Sequence, residues 1–442
     1  MKQTFLIAIL AALVILPSFA QEEDSLSEDA LFGSEDDLFG EESGEDGLLT
    51  IEEDAKEEDT GALDFLVMED TRIGGSFSYI SERSLPLTDE PAPEDVEAQA
   101  DLTTKLFLDA RPDESFRFYL SGELTYPFED VNNPEPAFTI NEAFSDVIIH
   151  DKVYIRTGKQ TLNWGVGYFY SPADIVSLGA IDPSDPEAEL EGPVAIKTHL
   201  PIRSTNLYFV SIADDLFQGG EMALAPKIEF VWGKSEISLG GYYQHDQISA
   251  AMATVTFPFF DLEVFAEAVI QRGNSVKILQ YNGPVLEAVD TPDTLYPFAT
   301  AGFSYRYSDD DGFFDLFLAG QYYFNGQGYE DPDILQEPSL GLLLLNEDIT
   351  AADLIEPGQH YLGASLVWTD LLGSDFTLSE FFQWNISDHS YLLDSKISFS
   401  DNKHITLSLG YRHSFGEADR QYTTLLADPE VYLQVSTGIG DF

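Results

Sequence analysis

Cysteine is absent from the 442 residues. That excludes thiolate metal sites, cysteine nucleophiles, a disulfide framework and a lipidated cysteine after an export signal. Bases are scarce: 21 Lys and Arg stand against 79 Asp and Glu, a net charge of −58. A nucleic-acid partner is therefore not expected, because phosphate binding needs a basic footprint. Long apolar runs are missing too. After the first twenty residues no run approaches the ~18 needed for a transmembrane helix, which leaves membrane crossing by strands open. Catalytic signatures are equally thin. The seven His are scattered, with no His-Glu-x-x-His, no Gly-x-Ser-x-Gly and no phosphate loop. Asp309-Asp310-Asp311-Gly312 reads as a polar hairpin turn, since it lacks the spaced bidentate Glu of a calcium loop. The expectation is no enzyme, no cofactor and no metal.

Residues 1–20 have the form of a secretory signal: Lys2, an apolar stretch from Phe5 to Leu16, and a small-x-small site at Ser18-Phe19-Ala20. Residues 21–70 form a second region. Asp and Glu dominate, Lys56 is the one base, and too little apolar surface is present to offset ordering entropy, so disorder is expected. Within it a short repeat places Leu31-Phe32-Gly33 and Leu38-Phe39-Gly40 after acidic residues. This pattern suits a solvated spacer or a linear motif for a periplasmic partner.

From about residue 72 the pattern changes to period 2. Phe116, Phe118, Leu120, Leu124 and Tyr126 share one parity, and Arg117, Ser121, Glu123 and Thr125 the other. Ile405, Leu407, Leu409 and Tyr411 oppose Thr406, Ser408, Gly410 and Arg412. Leu262, Val264, Ala266, Ala268 and Ile270 oppose Glu263 and Glu267. Such segments have one greasy and one polar face, with the length a tilted strand needs to cross a bilayer. Connections alternate in length. Tight turns fall near 111–113, 150–151, 201–202, 233–234, 258–259, 309–312, 372–373 and 401–402. Longer acidic or Pro-rich loops fall near 83–98, 127–137, 163–192, 213–220, 281–297, 326–357 and 415–429. Only a barrel has reason to sort loop length by end. The expected fold is all-β, a transmembrane antiparallel up-and-down β-barrel over 71–442 with both termini periplasmic. The count is about 18 strands, with 16 open because 262–282 reads as one strand or as a hairpin at Arg272-Gly273-Asn274, and because the connections at His245-Asp246 and Ser387-Asp388 are short on the nominally external side.

The last segment, Val431 to Phe442, is expected to pair with the strand at 403–414 and to close on the first strand near Ile73. Phe442 shares the parity of Gln434 and Ser436, and Gly440 stands where an apolar side chain would precede a terminal aromatic sorting signal. Either the strand bulges near Gly438–Gly440 or the pattern is a variant of that signal.

The densest polar constellation is Arg156-Thr157-Gly158-Lys159-Gln160, Asn163-Trp164-Gly165-Val166-Gly167, Ser171-Pro172-Ala173-Asp174 and Ile181-Asp182-Pro183. Over about thirty residues it resembles porin-like outer-membrane barrels of the alginate-export type and related barrels. The resemblance implies a loop that folds inward and narrows a pore, with Arg156, Gln160, Trp164 and Asp174 as constriction candidates. The alternative from the residues alone is a motif that holds the loop to the strand junction. Arg117, Arg306 and Arg412 are further lumen-parity bases, interleaved with acids that would pair with them and stiffen the wall. The functional expectation is a channel in the outer membrane of a diderm bacterium. Its partners would be outer-membrane lipid, the barrel-assembly machinery and small hydrophilic solutes. The alternative is an interaction protein whose acidic tail binds a periplasmic partner or plugs the pore.

Overall fold

The computed structural model describes residues 71–87, 97–128, 136–177, 192–213, 221–245, 247–309, 315–330, 332–401 and 405–439. The signal-like segment, the acidic tail with Leu31, Phe32, Leu38 and Phe39, and the terminal Gly440–Phe442 lie outside them.

Eighteen strands form one sheet. They are β1 (Thr71–Pro86), β2 (Glu97–Asp113), β3 (Phe116–Pro127), β4 (Ala137–Ile149), β5 (Val153–Lys159), β6 (Val194–Ile202), β7 (Thr205–Ile212), β8 (Ala223–Trp232), β9 (Ser235–Tyr243), β10 (Ser249–Phe259) and β11 (Leu262–Arg272). After a separate hairpin of β12 (Ile278–Asn282) and β13 (Val285–Val289) come β14 (Leu295–Ser308), β15 (Asp315–Phe324), β16 (His360–Thr369), β17 (Phe376–Asn385), β18 (Ser390–Asp401), β19 (Ile405–Phe415) and β20 (Glu430–Ile439). Each barrel strand pairs antiparallel with its sequence neighbour, and β1 pairs with β20, so the sheet closes and has no free edge. The expected strand number and up-and-down order are the ones observed.

Closure runs through the first strand as expected: among the described residues β20 pairs with β1 from Phe77↔Ile439 to Pro86↔Glu430. Pairing is regular through Gly438 and Ile439, and Gly440 lies outside the described residues. The uncertain stretch 262–282 is one barrel strand ending at Arg272, and the β12–β13 hairpin belongs to the loop that follows.

A bulge does occur where β3 meets β4. Ser121 pairs with Glu142 and Gly122 with Ile140, leaving Asn141 as the extra residue. The parity switch keeps Phe138 and Ile140 outward while turning Glu142, Phe144 and Asp146 into the lumen.

Outward residues form the apolar band that lipid requires. Trp232, Phe259, Phe260, Tyr307 and Phe376 are exposed near the short-turn end. Phe128, Phe138, Tyr243, Tyr322 and Tyr411 are exposed toward the long-loop end. Two aromatic zones flanking an aliphatic middle match the interfacial girdles of a membrane barrel. The buried apolar clusters therefore lie inside the barrel, between the wall and the loop that follows β5.

At the long-loop end, β12–β13 packs with the 325–359 segment. Leu279, Leu286 and Ile349 are buried together, with Tyr329, Leu340, Leu343 and Leu354 against them. This segment includes helix α1 (Leu340–Leu345), and the 416–429 segment includes α2 (Gln421–Leu425).

Candidate functional site: an inward loop fastened to the lumen wall

Residues 160–177 leave β5 and run along the inside of the barrel. Leu162, Trp164, Ala173 and Val176 pack on wall residues Ala195, Val210, Ile212, Ala223, Ala225, Met252 and Val269, from β6, β7, β8, β10 and β11. Further along, Phe169 and Tyr170 pack on Ala319, Tyr323 and Tyr361 of β15 and β16. Tyr170 stacks on Tyr323 at 4.8 Å between ring centroids. These wall residues are apolar where a water-filled barrel is normally polar, because the loop covers them.

Two lumenal side chains bolt the loop in place. Glu267 of β11 accepts hydrogen bonds from the backbone N–H of Val166 (2.5 Å), Gly167 (2.7 Å) and Ala173 (2.8 Å) and from Ser171 Oγ (3.0 Å). Gln321 Oε1 of β15 accepts from the N–H of Phe169 (2.6 Å) and Tyr168 (3.0 Å). Its Nε2 donates to the Tyr170 carbonyl and to Thr300 Oγ1. Loop backbone buried without such acceptors would lose roughly 1–3 kcal/mol per orphaned group. Close approach sets the glycines. A Cβ on Gly165 would sit 1.5 Å from Ser171 Oγ, and one on Gly167 would sit 2.0 Å from the Tyr170 carbonyl oxygen.

Of the four constriction candidates, Trp164 and Asp174 meet within this loop, while Arg156 and Gln160 lie at its root. Arg156 forms a bidentate pair with Asp146 (2.7 and 3.0 Å), and its guanidinium lies 3.7 Å over the Phe144 ring. Gln160 is fully buried and donates through Nε2 to the Ala195 carbonyl at 3.0 Å. Trp164 is buried against the wall, with Lys227 Nζ 5.7 Å from its ring. Asp174 accepts from the Trp164 N–H (3.0 Å) and from Ser177 Oγ (2.6 Å). Burial pushes its carboxyl up to about 6, against the pull of those bonds. Gln160, Trp164 and Asp174 thus turn into the loop and hold its shape, while half-exposed Val166 and Tyr168 and exposed Asn163 lie on its surface. Ile181, Asp182 and Pro183 lie outside the described residues.

Several of the remaining lumenal bases are engaged. Arg117 binds Asp109 (3.0 Å), as does Arg111. Lys105 pairs with Glu123 and Lys227 with Glu229. Arg412 bridges Asp394 (2.9 Å) and Glu430 (2.8 Å), while Tyr432 donates to Asp394 (2.7 Å). Arg306 stands apart from Arg117 and Arg412 and lies over Phe317 at 5.7 Å. With Arg117, Arg156 and Arg412 already on carboxylates, the electrostatic reason for the acidic tail to enter as a plug is weak.

Three loops are tied together above this level. Tyr361 OH and Asn385 Nδ2 donate to Gln421 Oε1, Gln421 Nε2 donates to the Ile355 carbonyl, and Asn325 Nδ2 donates to the Glu356 carbonyl. Burial pushes the Glu356 carboxyl up to about 7.

Sequence reasoning placed Glu267 on the lumen face but did not give it a role, and it did not single out Gln321. Glu267 alternates with outward Ala266 and Ala268, and Gln321 follows outward Gly320. That is the ordinary polar face of a barrel strand.

No protein-family model and no curated protein matches the chain. Among solved structures, OccAB1 of Acinetobacter baumannii is 11% identical with a TM-score of 0.47, covering 83% of this chain and 96% of its own. OccK2 (OpdF) of Pseudomonas aeruginosa is 10% identical with a TM-score of 0.48, covering 84% and 98%. A triple mutant of the Rhodopseudomonas blastica porin is 8% identical with a TM-score of 0.43, covering 84% and 100%. The barrel described here stands on its own strand pairing, with these proteins as structures it is similar to.

Proposed function

We propose that the protein is an outer-membrane channel through which small hydrophilic solutes diffuse, with the 160–177 loop setting the width of the path. The observation that carries this reading is the loop fastened inside a closed 18-stranded barrel by Glu267 and Gln321. Side chains alone do not fill a barrel of this size, so its lumen is water-filled unless a segment occupies it. The inward loop occupies one side. Lipid contact is supported by the outward apolar band and its aromatic zones. Planar-bilayer recording of the purified, folded protein tests the proposal. Discrete conductance steps are expected, and silent bilayers would overturn it.

A separate role is supported by the repeated Leu-Phe-Gly in the acidic tail. Phe32 and Phe39 would anchor a periplasmic partner, and replacing both by Ser is expected to abolish its recovery by affinity capture. Unchanged recovery would remove this role.

A further inference from the structure

Charge along the path is distributed unequally, and this deepens the channel reading on which the inference rests. The segments joining strands at the long-loop end are 87–96, 128–136, 160–193, 213–222, 244–248, 273–294, 325–359, 386–389 and 416–429. Their described residues hold sixteen Asp and Glu against two bases, Lys277 and Arg420. Both bases are neutralised locally: Lys277 pairs with Asp290, and Arg420 with Asp333 and Glu417. The turns at the opposite end are far less one-sided.

Inside the barrel, most of the groups that would hold an anion are occupied, and Lys396 on the lumen face of β18 stands outside the ion pairs of the described residues. Lys105, Arg111, Arg117, Arg156, Lys227 and Arg412 each contact a carboxylate. Lys197 and Arg306 lie over the rings of Tyr208 and Phe317. The row of backbone N–H groups in the inward loop would otherwise form an anion-binding concavity. It is filled by the Glu267 carboxylate and the Gln321 carbonyl. Toward the short-turn mouth, Glu236 of β9 and Glu263 of β11 flank Thr256 and Pro258 of β10 on the lumen wall. A solute entering from the long-loop end therefore crosses a negative vestibule, an inward loop whose row of N–H groups is already held by Glu267 and Gln321, and a wall carrying Glu236 and Glu263 toward the exit.

We propose that the channel selects small cations, inorganic or organic, over anions. Fields of one sign at a pore mouth concentrate counter-ions, and charged rings set the sign of selectivity. Screening limits the loop contribution, because the Debye length falls from about 10 Å at 0.1 M salt to about 3 Å at 1 M.

The test is the reversal potential of single channels of the full-length protein in a potassium chloride gradient. The expected potassium-to-chloride permeability ratio is severalfold above one at low salt and declines as both baths approach molar salt. The variant Glu236→Gln/Glu263→Gln/Glu347→Lys/Asp348→Lys, which alters lumen-facing and exposed residues, is expected to bring the ratio toward one while channels still form. A wild-type ratio at or below one, with normal conductance steps, overturns cation selection and leaves the channel standing. A ratio unchanged in the variant overturns the assignment to these acids. Absence of any conductance overturns the channel reading and this inference with it.

Discussion

The wall from β6 round to β17 and the wall from β18 through β1 to β4 enclose one lumen but are finished differently. On the first, the inward loop covers apolar residues such as Val210, Met252, Ala319 and Tyr361, and a few polar bolts reach through. On the second, the lumen side carries its own polar lattice. Arg412 bridges Asp394 and Glu430, Ser398 bonds Ser408, and Arg117 and Arg111 share Asp109. A wall whose polar groups satisfy one another can face water unaided, whereas a wall of buried apolar side chains stays dry only while something covers it. The loop is thus structural cover for one half of the lumen and, on the proposed reading, the obstacle in the path.

Breaking the loop and breaking the wall should have separable consequences. The largest effect is expected from Gly167→Val, whose side chain meets the Tyr170 carbonyl and cannot be accommodated in the docked loop. Conductance should rise severalfold while the barrel keeps its heat-modifiable migration on gels. Next comes Asp146→Ala on the wall, which leaves Arg156 buried and unpaired. A loss of about 3 kcal/mol is expected from removing one partner of a buried pair, read as lower thermal stability of the detergent-solubilised barrel.

A smaller effect comes through pH. Burial holds the Asp174 carboxyl at about 6, above its ordinary value of about 4 in a released chain, so the docked loop binds a proton more tightly than the released one. Docking is strongest below pH about 4 and weakens as pH rises toward 6. Open-channel noise should therefore increase over that interval, and Asp174→Asn should flatten the dependence. The smallest effect is Gln383→Ala, which removes one bond to Tyr170 OH at 2.6 Å. About 1 kcal/mol is expected, read as a modest rise in the same noise.

Much of the barrel was legible because period 2 is a local signal. Phe116 to Tyr126 or Ile405 to Arg412 show their two faces without reference to any neighbour, and loop lengths sort the ends. Closure of the last strand on the first was legible too, but its register was not, because strand stagger depends on the shear of the whole barrel. The site was half legible. Gly165, Gly167 and Trp164 mark a loop with tight turns and an anchor, and Arg156 marks its root. The bolts were not legible, because Glu267 lies about 100 residues beyond Val166 in sequence and Gln321 about 150 beyond Phe169. Nothing local distinguishes a carboxylate that binds a loop from one that faces water.

The central claim is that a wall-fastened loop narrows a conducting lumen. It is tested most directly by single-channel conductance of the wild-type protein beside Glu267→Ala/Gln321→Ala, with barrel integrity checked on the same preparations. Discrete steps in the wild type and clearly larger steps in the variant are predicted. Equal conductance in two intact barrels would contradict it.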